Sequence, residues 1–200
     1  MSKVSDWLVQ DKEEHDDCLH RPLFPVNVRL YNDNAGYRSV IQDIVEYMFE
    51  VTIKKFKDYP TLRGLSGANV GIPYNIVVLR SPDYNNLVYI NPVIIKKWGG
   101  TRTVESNCGS LNLKEKIEVE RHKKILVSLY EYDFEIQGPK DPLKQTDEIF
   151  TGADASTMQH EIDHNNGILI TNPTRKRHLE IIKKPSDIKD TRRPHVKMQP

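Results

Sequence analysis

The segment Gln159-His160-Glu161-Ile162-Asp163-His164 constrains this chain more than any other stretch. Two histidines four apart share one face of a helix, so both imidazoles can reach a single metal ion. Glu161 follows the first of them and can take a proton from a water beside that ion. The pattern asks for a helix over about residues 154–165, with Asp154 or Ser156 as its cap and Gly167 just past its end. It also asks for a ligand from elsewhere, because a catalytic site of this kind uses three protein ligands and leaves one position for water.

Several positions compete for that third place. One metalloprotease class would put a histidine where this chain has Ile170. Another takes a glutamate from a following helix, and Glu180 lies sixteen residues after His164. Cys108 is the better candidate. It sits in the small polar run Glu105-Ser106-Asn107-Cys108-Gly109-Ser110-Leu111, whereas a structural cysteine usually lies among apolar side chains. A thiol beside a dication also gives up its proton readily. Cys18, in an acidic stretch, reads as incidental.

The rest of the chain supplies a frame for such a site. Val40, Ile41, Ile44, Val45, Met48, Phe49 and Ile53 recur at intervals of three and four, which predicts an amphipathic helix over 37–57, closed by Pro60 and Gly64. The run Gly64-Leu65-Ser66-Gly67-Ala68-Asn69-Val70-Gly71 is rich in small residues and lets backbone approach a ligand or a neighbouring strand. Val- and Ile-rich runs at 76–79, 87–95, 117–119 and 125–132 predict strands. A further helix is expected over about 174–184. Strands in the middle with a helix on each side indicate an α+β domain.

At 200 residues the chain suits one domain with tails. The expected division is an acidic segment 1–18, a catalytic domain 19–173 and a basic segment 174–200. The last carries nine Lys or Arg against three Asp or Glu, a local balance of +6, so the remainder sums to −5. A net charge of +1 argues against a protein that coats DNA or an anionic membrane. No run approaches the roughly 18 apolar residues of a membrane-spanning helix. Residues 1–17 do not read as a secretory signal, and two cysteines make a poor disulfide framework. A cytoplasmic, reducing setting is the expectation.

Three segments in order resemble the motifs of the peptide deformylase family. Gln159-His160-Glu161-Ile162-Asp163-His164 matches the family's third motif throughout. Ser106-Asn107-Cys108-Gly109-Ser110 is similar to its second, usually Glu-Gly-Cys-Leu-Ser. Leu62-Arg63-Gly64-Leu65-Ser66-Gly67-Ala68-Asn69 is similar to its first, usually Gly-x-Gly-Leu-Ala-Ala-x-Gln. Asn91-Pro92 and Arg121 also have family counterparts, and the resemblance covers about 19–172.

The resemblance implies a peptide-deformylase-like fold, with antiparallel or mixed sheets around a central metal-binding helix. It implies one divalent metal per chain, ferrous iron first and zinc, nickel or cobalt as alternatives, held by Cys108, His160 and His164. Glu161 takes the place of the general base. Formyl groups would be removed from the N-terminal methionine of nascent polypeptides, with formate released. Gly109 keeps the backbone N–H that faces the formyl oxygen in the family, and Asn69 replaces a glutamine that does the same. Arg63, Gly64, Leu65 and Gly67 fall where relatives pair backbone with the substrate peptide. Gly109 replaces a leucine of the methionine pocket and widens it; Ile72 and residues 155–158 are candidates for other walls. Gln159, Asp163 and Arg121 are expected behind the ligands, with Glu105 as a partner for Arg121. The basic segment would suit docking on a ribosome. The alternatives are a hydrolase of the same fold with weak activity or another amide substrate, and a non-catalytic binding module.

Overall fold

The computed structural model describes residues 18–58, 61–80, 86–111, 113–132 and 142–171. The expected helix at 174–184, the candidate Glu180 and the basic segment lie outside the described residues.

The order of elements is α1 (Val28–Asp33), α2 (Ala35–Asp58), β1 (Gly64–Ser66), a 3-10 turn (Gly67–Val70), β2 (Ile76–Arg80), β3 (Asn86–Ser106), β4 (Ile117–Tyr132), β5 (Gln145–Thr151) and α3 (Gly152–Asn165). The strands form one sheet in sequence order, and every pair is antiparallel. The parallel component is confined to an isolated bridge between Phe24 and Tyr74. This is the expected α+β architecture.

The apolar run Ile76-Val77-Val78-Leu79 is continuous because both faces of β2 are covered. Ile76 and Val78 join Ile41, Val45 and Met48 of α2. Val77 and Leu79 join Ala155, Met158 and Ile162 of α3. A third cluster lies under the site and contains Leu19, Leu23, Ala68, Cys108, Leu111 and Val119. Cys18 belongs to it and is buried. Cys18 is set aside as a ligand, and its small apolar side chain packs in the core despite its acidic neighbours in sequence.

Two predicted strands, 117–119 and 125–132, are one. The charged run Glu120-Arg121-His122-Lys123-Lys124 hides the continuity, because Arg121 alone of its first three residues points inward. Neither α1 nor β5 was anticipated. Six residues give α1 too little periodicity to detect; its start is marked by Asn27, whose side chain accepts a hydrogen bond from the Leu30 N–H at 2.9 Å. In β5, Gln145-Thr146-Asp147-Glu148 is polar on both faces.

β3 is 21 residues long and slips register against β4 at three places, between Ile90 and Val93, Ile94 and Lys96, and Trp98 and Thr101. Asn91 sits at the first, with φ +52°. Asparagine is among the few side chains that adopt this left-handed conformation readily. It is also buried and pairs with both backbone groups of Val26, accepting from its N–H and donating to its carbonyl, each at 2.8 Å. The following Pro92 lacks an N–H, and a bulge is where a strand tolerates that.

Asn91→Ala would leave both Val26 groups unpaired in the interior. It is expected to destabilise the fold by about 2–4 kcal/mol, read as a lower urea midpoint in equilibrium unfolding.

Candidate active site

Helix α3 begins two residues earlier than its capping residues suggested. Thr151 is its N-cap, and Asp154 lies inside the first turn, where an acid complements the positive end of the helix dipole. Its C-terminal end follows expectation. Gly167 has φ +70°, its N–H reaches the His164 carbonyl, and the Ile168 N–H reaches that of Asp163, both at 2.9 Å. This is a Schellman arrangement, and it needs glycine at that place. A Cβ on Gly167 would stand 2.7 Å from the Arg21 nitrogen, so the returning chain also excludes a side chain.

Gln159 fixes the helix on the sheet. Its Oε1 accepts from the His122 N–H and its Nε2 donates to the His122 carbonyl, both at 3.0 Å. One side chain so acts as a strand partner for β4. Asn165, nearly two turns beyond, donates to Asn75 Oδ1 at 2.7 Å beside β2.

Three donor atoms converge next to this anchor. His164 Nε2 lies 3.2 Å from Cys108 Sγ and 3.1 Å from His160 Nε2, and the three ligand atoms fall within 4.8 Å of one another. The imidazole rings meet edge to face at 85°. Donors bound to one cation at about 2.0–2.3 Å stand a little over 3 Å apart, so the trio fits a single dication. Burial and the nearby Arg121 hold His164 down to about 4, so the ring is neutral and its lone pair is free at physiological pH. Asp163 pairs with Arg121 in a largely buried ion pair. Glu105 instead pairs with Lys116 at 3.3 Å, which corrects the expected partner of Arg121.

Glu161 is 4% exposed, and its Oε2 has no hydrogen-bond partner among the described residues. Burial pushes its carboxyl up to about 8, Arg121 and the Ser66 backbone pull it down, and Asp163 adds to the rise. Gly64 makes room for it: a Cβ there would stand 2.7 Å from Glu161 Oε1.

The amide of Asn69 is held from both sides. Its Oδ1 accepts from the Ser66 N–H at 2.9 Å and from the Ser66 hydroxyl at 2.7 Å, and its Nδ2 donates to Ser110 Oγ at 3.0 Å. That last bond ties the segment after β1 to the one that carries Cys108.

These groups border an open pocket of about 320 Å³. Arg63, Gly64, Leu65, Asn69, Cys108, Gly109, Arg121, His160 and Glu161 all line it. Gly67 does not; a Cβ on it would stand 2.9 Å from the Ile72 carbonyl oxygen, so its glycine serves close backbone packing. Ile72 packs against the α2 core instead. Of 155–158, Ser156 and Thr157 face the pocket, while Ala155 and Met158 are in the core. Sequence reasoning passed over Arg102, which also lines the pocket. It shares its strand face with Val104 and Ser106, and that alternation was the available signal.

Converging soft and nitrogen donors beside a buried carboxyl, open to a pocket, are the parts of a metal-dependent hydrolase. The polypeptide deformylase family model matches residues 7–180, and the chain belongs to that family. It is 32% identical over 156 residues to the peptide deformylase of Agrobacterium fabrum, covering 76% of this chain and 81% of that one. The alignments to the relatives from Desulforudis audaxviator and Karelsulcia muelleri, 32% and 30% identical, span 62% and 53% of those proteins, a little over half their length. Among solved structures, the class I type b peptide deformylase from Acinetobacter baumannii superposes with a TM-score of 0.63 at 24% identity, covering 82% of this chain and 96% of that one. The enzyme of the Vibrio parahaemolyticus bacteriophage VP16T, solved in complex with actinonin, gives 0.60 at 24%, covering 82% and 98%. The last two likenesses establish the fold.

Gln159→Leu would leave the His122 backbone groups unpaired and loosen the helix that carries both histidines. Its expected effect is a metal affinity lower by about 10–100-fold, measured by competition with a chromogenic chelator, in a protein whose circular dichroism is preserved.

Proposed function

We propose that this chain is a metal-dependent amide hydrolase that removes the formyl group from the N-terminal methionine of nascent polypeptides and releases formate. The observation that carries the reading is the buried Glu161 carboxyl set beside the Cys108, His160 and His164 donors at the mouth of a pocket. Family membership supports it.

Cys108, His160 and His164 would hold one divalent cation, with ferrous iron as the expected metal. When bound, the cation supplies a water of lowered pKa and polarises the formyl oxygen. Glu161 takes a proton at its carboxyl and later returns it to the leaving amine. Asn69 uses one Nδ2 hydrogen on Ser110, and an amide nitrogen carries two. The second is directed to the formyl oxygen, together with the Gly109 backbone N–H. β1 is the edge strand of the sheet and borders the pocket, so Gly64 and Leu65 offer free strand edge to an extended peptide. Arg63, ion-paired with the exposed Asp154 at 3.6 Å, flanks that edge. Arg121 and Asp163 position the metal-binding helix.

A cytoplasmic setting fits this role; no helix among the described residues is long and apolar enough to cross a membrane. The +6 balance of 174–200 supports a ribosome contact through that segment. Removing the residues after Lys184 is expected to weaken co-sedimentation with ribosomes and to flatten its dependence on salt.

The reaction is tested with the protein loaded anaerobically with Fe²⁺ and assayed for formate release from formyl-Met-Ala-Ser. Glu161→Ala is expected to lower kcat by about 10²–10⁴, and Asn69→Ala by about 10²–10³, each with metal content unchanged. No release by the wild type above the Glu161→Ala background would sink the proposal.

A further inference from the structure

Two arginines of the pocket carry N–H donors that nothing among the described residues accepts. Arg102 and Arg121 are direct cross-strand partners on β3 and β4, and both line it. Like charges placed opposite each other in this way are destabilising unless something compensates them. Compensation is incomplete. Arg121 is 4% exposed and gives one terminal nitrogen to Asp163, while its Nη2 is buried with no partner among the described residues. Arg102 donates through Nη2 to Ser156 Oγ at 3.0 Å, a neutral oxygen, and its Nε is likewise buried and unpartnered.

Apart from Glu161, the other charges near the pocket are matched among the described residues. Arg63 is paired with Asp154, Glu105 with Lys116, and Arg121 with Asp163. Among the described residues no ion pair joins Arg102 to any carboxylate or links Glu161 to either arginine. A buried guanidinium N–H without an acceptor is costly. Two such donors on adjacent strands, both bordering one pocket, ask for an anion with two acceptor oxygens. A carboxylate is the group whose flat, two-oxygen geometry matches the guanidinium fork.

We propose that Arg102 and Arg121 form a carboxylate subsite in the pocket, which takes either an acidic side chain of the acylated substrate or the formate released from it. The proposal rests on the hydrolase reading above and deepens it by naming the chemistry of a second group that the site binds. Arg102 is the specificity-determining member, since among the described residues it alone of the pocket's arginines has no carboxylate partner. Ser156 orients it: its hydroxyl accepts from Arg102 and donates to the Gly152 carbonyl at 3.3 Å.

The test is calorimetric titration of the metal-loaded full chain, wild type and Arg102→Met, with no turnover required. One arm compares Met-Glu-Ser amide with Met-Gln-Ser amide, which differ in side-chain charge alone. The other compares formate with formamide. Arg102→Met keeps an unbranched apolar stem and removes the fork. A subsite for substrate side chains is expected to favour the Glu peptide by about tenfold or more in the wild type, with the preference lost in Arg102→Met. A subsite for product is expected to bind formate about tenfold more tightly in the wild type than in the variant. Equal binding of the two peptides, together with formate affinity unchanged by Arg102→Met, overturns the proposal. If Arg102→Met does not fold, the wild-type arms still decide: no preference for Glu over Gln and none for formate over formamide overturns it as well. Turnover of formyl-Met-Ala-Ser, measured in parallel, separates the two claims. Its absence with carboxylate binding intact removes the hydrolase reading and leaves the subsite.

Discussion

The pair of hydrogen bonds between Gln159 and the His122 backbone is the contact on which the site depends. An α-helix normally packs on a sheet through apolar side chains that tolerate sliding. Here one amide side chain occupies a donor and an acceptor of β4 at fixed spacing. That sets the height and rotation of α3 against the sheet, and with them the direction of His160 and His164. Below this contact, Ala155, Met158 and Ile162 bury the helix against Val77, Tyr89 and Val127. Above it, the Asp163–Arg121 pair ties the same helix to the same strand. Burial supplies most of the stability, and the polar contacts supply the register.

Helix α2 and β2 were legible in the sequence because their signals are local: a three-four periodicity in one and a continuous β-branched run in the other. The catalytic helix was legible for the same reason, including its glycine stop. What escaped was set by tertiary contact. β1 is three residues long and becomes a strand only against β2. Ser66 and Ser110, which hold the Asn69 amide, are 44 positions apart, and nothing local to either announces the arrangement. Cys18 looked solvated from its acidic neighbours but is enclosed by residues from both ends of the domain. Arg121 was recognised, but its partner proved to be Asp163 on the helix rather than Glu105 on its neighbouring strand.

The electrostatics of the site follow from burial first and from one buried arginine second. Arg121 neutralises Asp163, tempers the rise that burial imposes on Glu161, and disfavours a proton on His164. A cation two residues from the buried Val119 of its own strand would be out of place in an apolar core. In this position it adds to the burial that keeps His164 neutral and offsets part of the rise that burial imposes on Glu161.

The three register slips of β3 have a consequence for how this strand can change. Each adds one residue relative to β4, and side chains alternate between faces with every residue. Three is odd, so the residues from Arg102 onward have exchanged sides relative to an unbroken strand starting at Val88. The face of each residue follows its partner: Arg102, Val104 and Ser106 stand opposite Arg121, Val119 and Ile117. Removing the extra residue at one slip would straighten that bulge and leave these three side chains on their present face, so the slips are the places where this strand can lose a residue without turning the pocket wall around.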